Sequence, residues 1–221
     1  MSRRRLGIIS LIPAVALVGV LAGFMAAAPS HAGAHNATAN RTGFHDAMRA
    51  LWEDHIVWTR QFIVSAATQD DNLPDTAATV DRLLANQTDI GDAIKPFYGE
   101  VAGEALTGLL REHILTAADI IAAAKAGDQQ TVDAKAAAWY ANGDEIAEFL
   151  SEANPKHWPL KDMKAHMKSH LDLTLEEAVA RLQGRYADDI KAYDKVHKDI
   201  LEMADMLSGG IIAQFPSHFA N

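Results

Sequence analysis

Leu51-Trp52-Glu53-Asp54-His55-Ile56 returns as Leu109-Leu110-Arg111-Glu112-His113-Ile114, and more loosely as Met167-Lys168-Ser169-His170-Leu171. The three histidines stand 58 and then 57 residues apart. A period of that size in a chain with helical spacing marks a repeated supersecondary unit. Around the first copy, Phe44, Met48, Leu51, His55, Trp58, Phe62 and Ala66 recur at steps of three and four. His55 therefore belongs to the apolar stripe of a helix, and the same spacing puts His113 and His170 on stripes of their own.

Outward from these stripes the chain reads as all-α. The spacing predicts six helices, over about 44–67, 74–94, 100–126, 128–154, 159–183 and 186–214, paired as three antiparallel hairpins. Pro74 suits a first helical turn, Pro96 ends the second helix, Gly127 supplies a left-handed end for the third, and Gly184 stops the fifth. Thr174-Leu175-Glu176-Glu177 matches a capping box, which would let the fifth helix restart just after His170. The sixth helix is read as buried along Ile190, Tyr193, His197, Ile200, Ala204, Leu207 and Ile211. No stretch alternates with period two for long enough to make a strand.

The N-terminus has another character. Arg3-Arg4-Arg5, an apolar run from Leu6 to about Ala28, and the small residues before Ala32 form a secretory signal, read as residues 1–32. Ser2-Arg3-Arg4-Arg5-Leu6 also fits a loose twin-arginine signal. Uncleaved, the run is long enough to cross a bilayer, but Pro13 and the alanine-rich end favour cleavage. Residues 33–43 are small, polar and aperiodic and read as a disordered leader; residues 44–219 form one helical domain.

Composition excludes several functions. The chain has 20 Lys and Arg against 29 Asp and Glu, a net charge of −9, which becomes −12 without residues 1–32. Such an acidic surface repels nucleic acid and anionic membranes and attracts cations, so neither is expected as a partner once the signal is removed. The absence of cysteine excludes thiolate metal sites, iron–sulfur clusters, covalent c-type haem and a cysteine nucleophile, and leaves stability to packing. No phosphate-binding glycine loop, nucleophile elbow, H-E-x-x-H or calcium loop is present.

The second helices repeat as well. Asn86-Gln87-Thr88-Asp89 returns as Asn142-Gly143-Asp144-Glu145, with Asp199-Ile200-Leu201-Glu202 in the place of a third copy. Counted from the turns, each histidine is level with its own Asn86, Asn142 or Asp199. One reading is a divalent transition-metal or small-cofactor site: His55, His113 and His170 as ligands, Asp89, Glu145 and Glu202 as ligands or acceptors, and Asn86, Asn142 and Asp199 behind them. Met163, His166 and Met167 form a weaker candidate set for copper or haem. The other reading is a buried polar layer with no cofactor, fixing the register of the hairpins in a structural or interaction protein of the cell envelope. An enzyme using the same layer is a third; nothing marks a nucleophile with its base.

Leu51-Trp52-Glu53-Asp54-His55-Ile56-Val57-Trp58-Thr59-Arg60, Asn86-Gln87-Thr88-Asp89-Ile90-Gly91 and Gln214-Phe215-Pro216 resemble a bacterial family of all-helical, mostly exported proteins without an established activity. The likeness spans about Phe44 to Phe219. It implies one unbroken domain and a bacterial host, and carries over no catalytic residue.

Overall fold

A computed structural model describes residues 31–68 and 71–220, with side chains from Asn40 onward. They form six helices: α1 (His31–Ala66), α2 (Thr76–Tyr98), α3 (Glu100–Ala126), α4 (Gln129–Ala153), α5 (Leu160–Leu182) and α6 (Tyr186–Gln214). A short 3-10 turn follows at Pro216–Phe219, and there is no strand among the described residues. The expected signal lies outside them except for its last two residues. None of the described helices is long and apolar enough to cross a membrane.

Each helix packs against its neighbours in the chain, and α6 returns to pack against α1, so the six close into a ring. The interior is filled by the 3–4 stripes: Met48, Ile56 and Ile63 from α1, Leu106 and Leu110 from α3, Met163, Met167 and Leu171 from α5, and Ile200, Ala204 and Ile211 from α6. The packing of α2 on α3 is as close as that of α1 on α2. Where α2 crosses α3, a Cβ on Gly91 would come within 2.6 Å of the Gly103 carbonyl oxygen, so glycine alone permits this approach.

The turns follow local chemistry. Gly127 and Gly184 both take φ of +70°, the left-handed end that a Cβ disfavours. Asp128 caps α4, its carboxylate accepting from the Thr131 N–H at 3.1 Å.

Several boundaries and faces depart from expectation. α1 begins at His31 and takes in the 33–43 stretch read as a disordered leader. No proline interrupts it, so a helix nucleated by the packed segment propagates backward at little cost. Residues 40–43 are exposed, and Phe44 is half-buried. α2 continues through Pro96 to Tyr98 and stops at Gly99, with φ of +84°. The continuation sends Phe97 into an aromatic cluster with Phe44, Phe215 and Phe219, ring centres 5.1–5.7 Å apart. α5 does not restart at Thr174, whose hydroxyl donates to the His170 carbonyl 2.8 Å away, one turn back.

On α6, Ile190 is 55% exposed and the buried face begins instead at Asp189, Ala192 and Val196. The reason is ionic. Asp189 lies under Arg60 of α1 and Arg181 of α5, and Arg60 also donates to Glu177 of α5 at 2.8 Å. Two fully buried carboxylates are thereby matched by two arginines where α1, α5 and α6 meet.

The far end is locked by Trp158, whose indole N–H donates to the Met206 carbonyl at 3.2 Å across Gly210. A Cβ at Gly210 would fall 2.1 Å from that nitrogen. Gly210→Ala must therefore displace a buried tryptophan, and we expect a loss of about 1–3 kcal/mol in denaturant unfolding. Gly209→Ala, where nothing lies within 4 Å, should be neutral or stabilising. Equal unfolding midpoints for the two variants would contradict this packing.

Candidate functional site

Three helices deliver the three repeated histidines to one place. His55 (α1), His113 (α3) and His170 (α5) are each only 3% exposed. The His170 ring centre lies 5.8 Å from that of His55 and 6.1 Å from that of His113. Trp139 stacks on His113 at 5.0 Å and Trp52 meets His55 edge-on at 5.7 Å, so indoles wall the layer. Of the other two tryptophans, Trp158 is buried and Trp58 half-buried.

Each histidine meets its second helix differently. On α4, the Asn142 amide donates to the Leu109 carbonyl at 3.2 Å, four residues before His113. Its oxygen is then turned toward His113 Nδ1, 3.1 Å away. On α2, the Asn86 amide likewise donates to the Leu51 carbonyl at 3.0 Å, four residues before His55. Its oxygen, however, accepts from the Gln87 amide at 3.1 Å. Gln87 also donates to the Leu83 carbonyl at 2.7 Å, which leaves its oxygen for His55 Nδ1 at 3.2 Å.

These bonds decide the tautomers. Both amides spend their N–H groups on carbonyls or on Asn86, so only their oxygens face the imidazoles. Nδ1 must then carry the proton in His55 and His113, and Nε2 keeps a lone pair. That is the arrangement of a histidine prepared to ligate a metal, its other ring nitrogen held by a neighbour. His170 differs: its Nδ1 is buried with no hydrogen-bond partner. Asp199, the residue expected beside it, accepts from Ser169 at 2.8 Å instead.

The three carboxylates do not join the layer. Asp89 and Glu202 are 52% and 59% exposed and lie near Arg82 and Lys198, and Glu145 is exposed too. Three residues advance a helix about 60° short of a full turn. Asn86 already sits at one edge of the stripe through Leu83, Ile90 and Ile94, so Asp89 lands beyond it in water. The same offset removes Glu145 and Glu202. Met163 and Met167 are buried on the His170 side of α5, while His166 faces partly outward. Among the described residues, no three His, Cys, Asp or Glu side chains stand ready to hold a metal ion. A tetrahedral ion with metal–nitrogen bonds near 2.0–2.1 Å would hold imidazole centres about 5 Å apart, so His170 stands roughly an ångström too far from both His55 and His113.

Gln87 and Glu177 were missed from sequence, although each occupies an apolar slot of a 3–4 stripe: Leu83, Gln87, Ile90, Ile94, and Met163, Met167, His170, Thr174, Glu177. A polar residue in such a slot is the signal that could have found them.

Burial sets the electrostatics. It lowers the His55 pKa to about 4, against the opposing bond from Gln87. His113 falls to about 3 through burial first and the neighbouring His55 second, and His170 is pushed well below the usual histidine range by burial. All three are neutral at pH 7. Glu177 moves the other way, up to about 7, because burial outweighs its bond to Arg60.

No protein-family model, curated protein or solved structure matches this chain.

The layer makes the fold acid-labile. Unfolded histidines take up a proton near ~6.5, folded His55 and His113 only near 4 and 3, and His170 also well below the usual range, so the layer's full contribution is present above about 6.5 and is lost as pH falls below it. Glu177 acts oppositely between its unfolded value and about 7, but one carboxyl offsets only part of three imidazoles. We expect the melting temperature to fall by several degrees or more from pH 7.5 to 5, and to fall further in Glu177→Gln, which lacks the offset. A flat melting temperature across that range would contradict a buried neutral layer.

Proposed function

We propose that this chain is an exported bacterial protein whose three-histidine layer takes up a divalent transition-metal ion. The observation that carries the reading is the fixed tautomer: Asn142 and Gln87 hold Nδ1–H of His113 and His55 and leave Nε2 free as a lone pair. Three neutral imidazoles without thiolate suit zinc, copper(II), nickel or iron(II). His55, His113 and His170 are the ligands in this reading, and the rings close by about an ångström around the ion. Asp89, Glu145 and Glu202 are not.

The three hairpins are read here as copies of one unit with a period of about 57 residues. The matching bonds from Asn86 to Leu51 and from Asn142 to Leu109 support this, each acceptor lying four residues before a histidine. Export rests on the sequence of residues 1–32, and the bacterial host on the family resemblance. The second reading, a cell-envelope structural or interaction protein with no cofactor, is favoured by one fact: the amide partners already satisfy two of the histidines.

Metal-dependent stabilisation separates the two. An ion held by ligands from three helices binds only the folded chain, so zinc at about a hundred times Kd should add roughly 2.7 kcal/mol. We expect a matching rise in melting temperature for the tag-free wild type, abolished in His113→Ala. If zinc, copper(II), nickel and iron(II) all leave the wild-type melt unmoved, the layer is structural only.

A further inference from the structure

The ring of helices is not filled throughout. Next to the histidine layer it holds a cavity of about 30 Å³, with ten lining residues drawn from α1, α3, α4 and α5. Among them are Thr59, Ala117 and Thr174, each one helical turn after His55, His113 or His170. Eight of the ten are buried, and Ala117 and Leu175 are half-buried. Protein interiors leave few voids larger than a water molecule, because atoms around a void lose their dispersion contacts. This one exceeds the roughly 10–15 Å³ that a single water takes up.

Its wall is apolar in composition and in what its polar groups have left to give. The Thr59 hydroxyl donates to the His55 carbonyl at 2.7 Å, and the Thr174 hydroxyl to the His170 carbonyl at 2.8 Å. The Trp139 indole N–H donates to the His113 carbonyl at 3.1 Å. The other seven lining side chains are hydrocarbon, so no side-chain donor remains on the wall for a water. A buried water is held by about two to four polar partners, whereas apolar cavities stay dry and accept apolar guests. An apolar cavity of ~150 Å³ takes benzene, so a guest here must be much smaller. Leu175 lines both this cavity and a wider groove at the turn end, together with Val132, Val179 and Leu182 of the groove.

We infer that this cavity binds one small, uncharged apolar molecule, of the size of dioxygen or xenon, admitted past Leu175. Such a guest restores the dispersion contacts that the wall forgoes and asks for no hydrogen bond. The site needs no ion at the histidine layer.

Xenon is the probe, titrated under pressure against the methyl resonances of the tag-free protein. We expect a saturable shift confined to the wall, at Ile63, Ile120 and Leu175 foremost. Ala178→Val adds two methyl groups to the cavity wall and should abolish that response. Ala122→Val makes the same change on the exposed side of α3 and should leave it intact. The inference is overturned by a wild type without a saturable shift, or by a response that survives in Ala178→Val. Water-to-methyl cross-relaxation that places an ordered water in the cavity would also overturn it. Should Ala178→Val fail to fold, Ala117→Val fills the cavity from α3 and decides in its place: a lost response supports the inference and a retained one ends it.

Discussion

Burying imidazole without charging it is the constraint on which this structure depends. Three histidines share one level inside a closed ring of helices, and water reaches none of them appreciably. Each must be neutral and each needs a partner for the nitrogen that keeps its proton. Asn142 answers with a single amide that ties α4 to α3 twice, through Leu109 and His113. Asn86 and Gln87 divide the same task on α2. These contacts tie α2 to α1 and α4 to α3, and a slip of either pair would strand both amide and imidazole.

The second polar feature of the core is charged. Arg60, Arg181, Glu177 and Asp189 gather where α1, α5 and α6 meet, near the seam that closes the ring between the first and last helices. A closure joining α1 to α6 brings together residues far apart in sequence, and a matched ionic cluster is specific about its alignment in a way that alanine and leucine are not. Its net contribution is small, since desolvation of four charges offsets most of their attraction. Glu177 shows the imbalance: one carboxylate oxygen meets Arg60 and the other meets nothing.

Most other described acids lie outside, several in pairs with lysine or arginine such as Lys164 with Asp144 and Glu148. Pairs of this kind contribute little to stability. They do explain why a strongly acidic composition coexists with a layer whose hydrogen-bond partners are neutral amides. Attraction of cations by the surface and coordination of one in the core are separate properties, and only the second depends on the histidine tautomers.

Helix number, the inward face of each histidine and their common level were legible in the sequence, because a 3.6-residue period ties position to direction within a single helix. Tertiary structure decided the partners. Whether Asn86 or Gln87 meets His55 turns on about 100° of rotation at one helix surface, and two adjacent amides give no local signal of which carbonyls they will find. The outward turn of Asp89, Glu145 and Glu202 depends on where the buried stripe is centred, which the neighbouring helices set. The burial of Asp189 in place of Ile190 required Arg60, 129 residues away, and no local period reports a charge from that distance. The broken third pair follows from a carboxyl standing in for an amide. That difference was written in the sequence at Asp199, but its preference for the Ser169 hydroxyl over His170 was set by how α5 and α6 pack.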